Sequence, residues 1–215
     1  MLENTRWLGH DSFLIDDVAT GKRIYVDPYK LEGQPLPADL ILVSHGHSDH
    51  FSPDDIARLR KPETVVVTVP AVARQLTGSI VRVHPGDSVV AAGITIEAVP
   101  AYNVNKFRSP GHPFHPKEAG GVGFILNVAG QRIYHAGDSD LIPEMEGLHV
   151  DVALLPVSGT YVMTAEEAAE AAALIRPKVA VPMHYSAIVG TAADAQRFAE
   201  LAAARGVTVQ ILNRS

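Results

Sequence analysis

Apolar runs that alternate with short polar breaks dominate the first hundred residues, and the runs are short enough to read as strands. Residues 5–8, 12–16 and 23–27 form an opening meander, with Gly9-His10-Asp11 and Thr20-Gly21-Lys22 as its turns. A Pro- and Gly-rich loop at 29–38 separates it from the continuous apolar strand 39–43, and a helix is expected over 53–60. Ser52 supplies the cap, Pro53 the first helical position, and Asp54 and Asp55 the acidic first turn. The β-branched run 64–68 suits a buried strand, and a short helix from Pro70 to about Leu76 follows. Strands at 81–83, 88–90 and 94–99 complete a β-rich middle.

Residues 100–121 break the pattern. This stretch has no periodicity, is rich in Pro, and carries His112 and His115, which argues for a functional loop rather than a linker. Strands return at 123–128, 132–136 and 151–157. The capping box Thr164-Ala165-Glu166-Glu167 opens an Ala-rich helix to about Ile175, stopped by Pro177. A strand over 178–183 leads to His184-Tyr185, a helix over 192–205 is closed by Gly206, and residues 207–212 read as an edge strand. Many strands followed by helix-strand alternation fit two sheets covered by helices, in one domain over 1–215.

The polar breaks at four strand ends carry the chemistry. After residue 43 comes Ser44-His45-Gly46-His47-Ser48-Asp49-His50, with three imidazoles and a carboxylate in six residues. His45 and His47, two apart, can pinch one cation, and Asp49 and His50 face a second position. The chain has no cysteine, so a metal must sit on nitrogen and oxygen donors, a set that admits zinc, manganese or iron. Formal net charge is −6, which disfavours nucleic acid as a partner because that binding relies on Lys and Arg. No apolar run approaches bilayer length and the N-terminus lacks a basic-then-apolar signal, so no membrane partner is expected and the cytoplasm is the default location. A small-molecule substrate is expected, and self-association into a homo-oligomer is left open.

The His-x-His-x-Asp-His pattern resembles the signature of the metallo-β-lactamase fold superfamily. Gly9-His10, Asp27-Pro28 and the ensemble from Ser158-Gly159-Thr160-Tyr161 to Met183-His184-Tyr185 resemble its small metal-dependent hydrolase branch, related to ascorbate-6-phosphate lactonases and N-acyl-phosphatidylethanolamine phospholipase D. The resemblance implies a four-layer αββα sandwich of α/β (α+β) class and two divalent cations, zinc foremost. It also implies that Asp138, in Gly137-Asp138-Ser139, bridges them and that His184 joins Asp49 and His50. Where the superfamily places a third histidine for the first cation, this chain has Asn103. Asn103 itself, His112 or His115 could complete that position, and His115 is favoured because Gly120-Gly121 lets its loop return. His135 is expected to pack or to sit behind the site.

Together these residues predict a metal-dependent hydrolase that directs a metal-bridging hydroxide at a small ester, lactone, amide or phosphodiester. Asp49 and Asp138 are the expected catalytic groups, while His10, Tyr161 and Tyr185 are candidates for contacting substrate. Lys106 and Arg108 could hold an anionic group, and loops 29–38 and 100–121 should set specificity. The competing readings are a nuclease or RNA-processing member of the superfamily, a diiron oxidoreductase of the same fold, and a metal-binding module without catalysis. Asn103 is the feature that points to the last.

Overall fold

The computed structural model describes residues 2–215. Its first sheet has six strands, β1 (Thr5–Gly9), β2 (Ser12–Asp17), β3 (Lys22–Val26), β4 (Leu40–Val43), β5 (Val65–Thr68) and β6 (Ile80–Arg82), ordered as in the chain. The first three pair antiparallel as a meander, and β3 through β6 run parallel. Parallel neighbours need crossovers, and helices α1 (Pro53–Leu59) and α2 (Pro70–Ala73) lie in two of these connections. Central β4 is buried at every residue, which is why it reads as an unbroken apolar run rather than an alternating one. Helix α2 is shorter than the expected span to Leu76, with residues 74–76 continuing as turns.

The second sheet contains β7 (Ser88–Ala91), β8 (Ile94–Pro100), β11 (Val122–Val128), β12 (Gln131–His135), β13 (Val152–Pro156) and β14 (Val179–Met183), in the order 14-13-12-11-8-7. Between β8 and β11, the stretch expected to be a functional loop without periodic structure folds a small hairpin of its own, β9 (Phe107–Ser109) with β10 (His112–Pro113). Helices α3 (Ala165–Ile175) and α4 (Ala192–Ala203) pack on each other, with α3 against β13 and α4 against β14. One contiguous core draws on both sheets, from Phe13, Ile24 and Ile41 to Phe124, Tyr134 and Leu154. This is the αββα layering.

The tail corrects one expectation. Residues 207–212 do not form a strand and contribute only a bridge, Val209 to Ala180, before the chain crosses to the first sheet, where Arg214 bridges Trp7. A segment that ties the edge of one sheet to the edge of the other cannot run alongside either for long. Among the described residues, no helix is long and apolar enough to cross a membrane.

Candidate metal centre

The ends of β4, β12 and β14 meet at one rim of the sandwich. Asp27, just past β3, organises it. Its carboxylate is fully buried and accepts hydrogen bonds from the Ser44 backbone N–H (2.7 Å) and hydroxyl (2.6 Å), and His50 Nδ1 lies 2.8 Å away. That partner fixes a proton on His50 Nδ1 and turns Nε2 inward, as the outer hydrogen bonds of metal-ligating histidines do. His184 is held in the same way by the Ser158 hydroxyl, 2.9 Å from its Nδ1. Both His10 and His184 have left-handed backbones (φ 52° and 61°), a conformation uncommon for residues with a Cβ. Gly137 is obligatory for a steric reason, since a Cβ there would lie 2.9 Å from the Val122 carbonyl oxygen.

Two groups of donor atoms result. In the first, His47 Nδ1 lies 3.1 Å from His45 Nε2 and 3.0 Å from His115 Nε2, and His115 Nε2 is 3.1 Å from Asp138 Oδ2. In the second, Asp138 Oδ1 is 3.2 Å from His50 Nε2 and 3.4 Å from His184 Nε2, and His10 Nε2 is 3.1 Å from Asp49 Oδ2. The two carboxylate oxygens of Asp138 therefore face opposite groups.

These groups fit divalent cations. Two donors bound at about 2.0–2.1 Å to one tetrahedral cation stand about 3.3 Å apart, close to the spacings found. His50 Nε2, His184 Nε2 and Asp138 Oδ1 are buried without a hydrogen-bond partner among the described residues, an arrangement costly in the absence of a cation.

His115, not Asn103, joins the first group. The Asn103 side chain is committed elsewhere: Oδ1 accepts from the His115 backbone N–H (2.8 Å) and lies 2.9 Å from His115 Nδ1, while Nδ2 donates to Asp140 and to the Tyr161 carbonyl. Asn103 thus orients the imidazole that takes the place expected of it. Asp140, two residues beyond Asp138, anchors the loop by accepting from the Val104 and Asn105 N–H groups. His112 is exposed on the hairpin, with Nδ1 3.0 Å from the Pro110 carbonyl oxygen, away from both groups.

Other expectations separate similarly. His10 is buried within the second group rather than open to substrate. Tyr185 is also buried, stacked on Trp7 with ring centroids 4.7 Å apart, and lines neither cavity at the centre. Tyr161 lines the mouth of the site. His135 packs edge-on against Phe13, its Nε2 2.8 Å from the Asp11 carbonyl oxygen. Loop 29–38 is pinned to α1 by Asp55 and Arg58 and lines neither cavity at the centre, because its backbone groups are spent on that helix.

Asp11 also belongs to this rim, although the residue pattern does not single it out. Its carboxylate is fully buried without a hydrogen-bond partner among the described residues, 4.0 Å from His50 Nδ1. Burial pushes it up to about 8. The available signal was a charged residue set directly between His10 and a buried strand. Around it the electrostatics are divided. Burial holds His45, His47 and His10 below the ordinary imidazole value. For His50 and His184 burial acts the same way, but the Asp138 charge outweighs it and raises both. Asp138 is depressed despite burial by the His50 and His184 charges, and Asp49 despite burial by the His10 hydrogen bond.

Two stacked sheets with His and Asp side chains gathered at their strand ends define a metallo-β-lactamase-type protein. Residues 4–184 match the family model described as a beta-lactamase superfamily domain. A UPF0173 metal-dependent hydrolase of Carboxydothermus hydrogenoformans is 33% identical, with 96% of this chain and 95% of the relative covered. Among solved structures, a Parabacteroides distasonis protein superposes with a TM-score of 0.82 at 32% identity, covering 97% of this chain and 93% of that one. Igni18, a metallo hydrolase from Ignicoccus hospitalis, gives 0.78 at 25% identity, with 98% and 95% covered. The chain belongs to the metallo-β-lactamase superfamily and, within it, to the small UPF0173 metal-dependent hydrolases.

Proposed function

We propose that the chain is a dinuclear metallohydrolase acting on a small ester, lactone, amide or phosphodiester. The observation that carries this is the placement of Asp138, with Oδ2 3.1 Å from His115 Nε2 and Oδ1 3.2 Å from His50 Nε2. A carboxylate so placed can serve two cations, and its charge offsets the repulsion between them. His45, His47 and His115 would hold the first cation, and Asp49, His50 and His184 the second, with His10 beside Asp49. Zinc suits this nitrogen-rich set best, with manganese or iron as the alternatives. When bound, such ions would lower the pKa of a water they hold from ~15.7 to near ~7 and would polarise the bond under attack.

The protein's own groups do the rest. Asp49, held by His10 and reachable from the mouth, is placed to orient the attacking water and to pass its proton on to the leaving group. Tyr161 offers a hydroxyl at the mouth for the developing negative charge. With His115 completing the first set and Asn103 orienting it, the Asn103 substitution no longer favours the non-catalytic alternative. The test is turnover on a panel of esters, lactones, amides and phosphodiesters, alongside metal analysis. Zinc-loaded protein should bind about two ions per chain and hydrolyse at least one class, and Asp138→Ala should abolish hydrolysis. Failure to bind metal, or hydrolysis undiminished in Asp138→Ala, would contradict the assignment.

A further inference from the structure

Two cavities of about 290 Å³ each open onto the centre, and they share His47, Phe114, His115 and Asp138. Their remaining walls differ in chemistry. One has His45 at the centre and otherwise mostly apolar walls, chiefly Val69, Ala71, Ala101, Pro116 and Val122. The other, toward solvent, is lined by Ser48, Asp49, Arg108 and Tyr161. Arg108, on β9, is the one cation lining either cavity, and its guanidinium lies over the Phe114 ring at 5.6 Å. Among the described residues it has no carboxylate within ion-pair distance. Its neighbour Lys106 is neutralised, 2.7 Å from Glu167 and 3.5 Å from Asp140. An exposed guanidinium lying over an aromatic face with no acidic partner is free to take a carboxylate or phosphate.

Resting on the hydrolase reading, we infer that the substrate is an ester in two unlike halves, a short apolar acyl group seated against Val69, Ala101 and Val122 and an alcohol half whose anionic group is held by Arg108. The orientation follows from Asp49, which lines the cationic cavity and not the apolar one. A leaving oxygen must gain a proton, so the alcohol half belongs on the Asp49 side. In the reaction, hydroxide from water bonds to the acyl carbon and the acyl carbon–oxygen bond breaks. The water's other proton passes through Asp49 to the alcohol, and the new acid ionises. The apolar cavity has about twice the volume of the ~150 Å³ cavity that takes a benzene ring, enough for an acyl group of about six carbons.

The test uses the zinc-loaded chain and matched hexanoyl esters, one of glycolate and one of 2-methoxyethanol. The glycolate ester should have the lower KM by about tenfold, the scale of one charge-assisted bond. Arg108→Ala should bring the ratio near one with kcat for the glycolate ester changed less than about twofold, and Arg108→Lys should retain part of it. Ala71→Leu, which fills the apolar cavity, should raise KM for hexanoyl glycolate more than for acetyl glycolate. Equal KM values for the two hexanoyl esters, or a preference that survives Arg108→Ala, would overturn the inference. If neither ester is turned over, the wider substrate panel judges the hydrolase reading separately, and calorimetry with the uncleavable ether hexyloxyacetate decides this one. Binding lost in Arg108→Ala supports it, and absent or Arg108-independent binding overturns it.

Discussion

Replacing Asn103 with alanine should weaken the first cation position while leaving the second largely intact. The side chain makes four short contacts, two to His115 (2.8 and 2.9 Å), one to Asp140 (3.1 Å) and one to the Tyr161 carbonyl (2.8 Å). Its loss strands the His115 backbone N–H and Nδ1 in a buried setting, at about 1–3 kcal/mol for each group left unpaired. It also frees the ring to choose its tautomer and orientation. Removing a hydrogen-bond partner of a metal-ligating histidine typically costs 10- to 100-fold in metal affinity, or about 1.4–2.8 kcal/mol. Zinc titration against a competing chelator should resolve two binding steps. The weaker or stronger step that depends on His115 should shift by that factor in Asn103→Ala, the other by less than about twofold, and thermal unfolding of the metal-free protein should move down. Two steps with unchanged affinities would refute the claim that Asn103 acts through His115.

Three further outcomes follow from the same geometry. Because burial holds Asp11 protonated up to about 8 while the unfolded chain releases that proton near 3.8, the folded form binds more protons across this window and loses stability as pH rises through it. Asp11→Asn should therefore raise the melting temperature of chelator-treated protein by an amount that grows from about pH 4 to about pH 8, and a pH-independent difference would contradict this. The Asp138 charge raises His50 against the effect of burial, which favours a proton on Nε2 in the metal-free protein. Zinc binding should release it, seen as a dependence of the calorimetric heat on the buffer's ionisation enthalpy, and no such dependence would count against His50 as a ligand. Asp27→Asn weakens the acceptor that fixes His50 Nδ1 and should cost roughly 10-fold or more in affinity at the second position, measured by the same chelator competition.

Much of this architecture can be read along the chain because the sheets are buried on one or both faces. The runs at 39–43, 151–157 and 178–183 had to be strands covered by helices, and the groups just beyond them had to share a rim. His45, His47, Asp49, His50, Asp138 and His184 all lie at such ends, so their gathering needed only strand adjacency. His115 was harder. Its place depends on a hairpin at Phe107–Pro113 and on Asn103 and Asp140 stitching the loop shut, contacts with no periodic trace. Asp27, legible only as part of Asp27-Pro28, and Asp11, legible only as a turn residue, concealed their roles for a different reason, since a carboxylate that orients or neighbours ligands has no characteristic spacing. The tail at 207–212 alternates like a strand, yet tertiary demands carry it from one sheet to the other.

The central claim is that one carboxylate joins two cation positions and that His115 completes the first. Anomalous diffraction at the zinc edge from zinc-loaded crystals tests it most directly. Two peaks should appear on either side of Asp138, one within about 2.0–2.2 Å of nitrogens from His45, His47 and His115 and the other at the same range from His50 and His184. A single peak, or a first peak bound through Asn103 with His115 turned away, would contradict it.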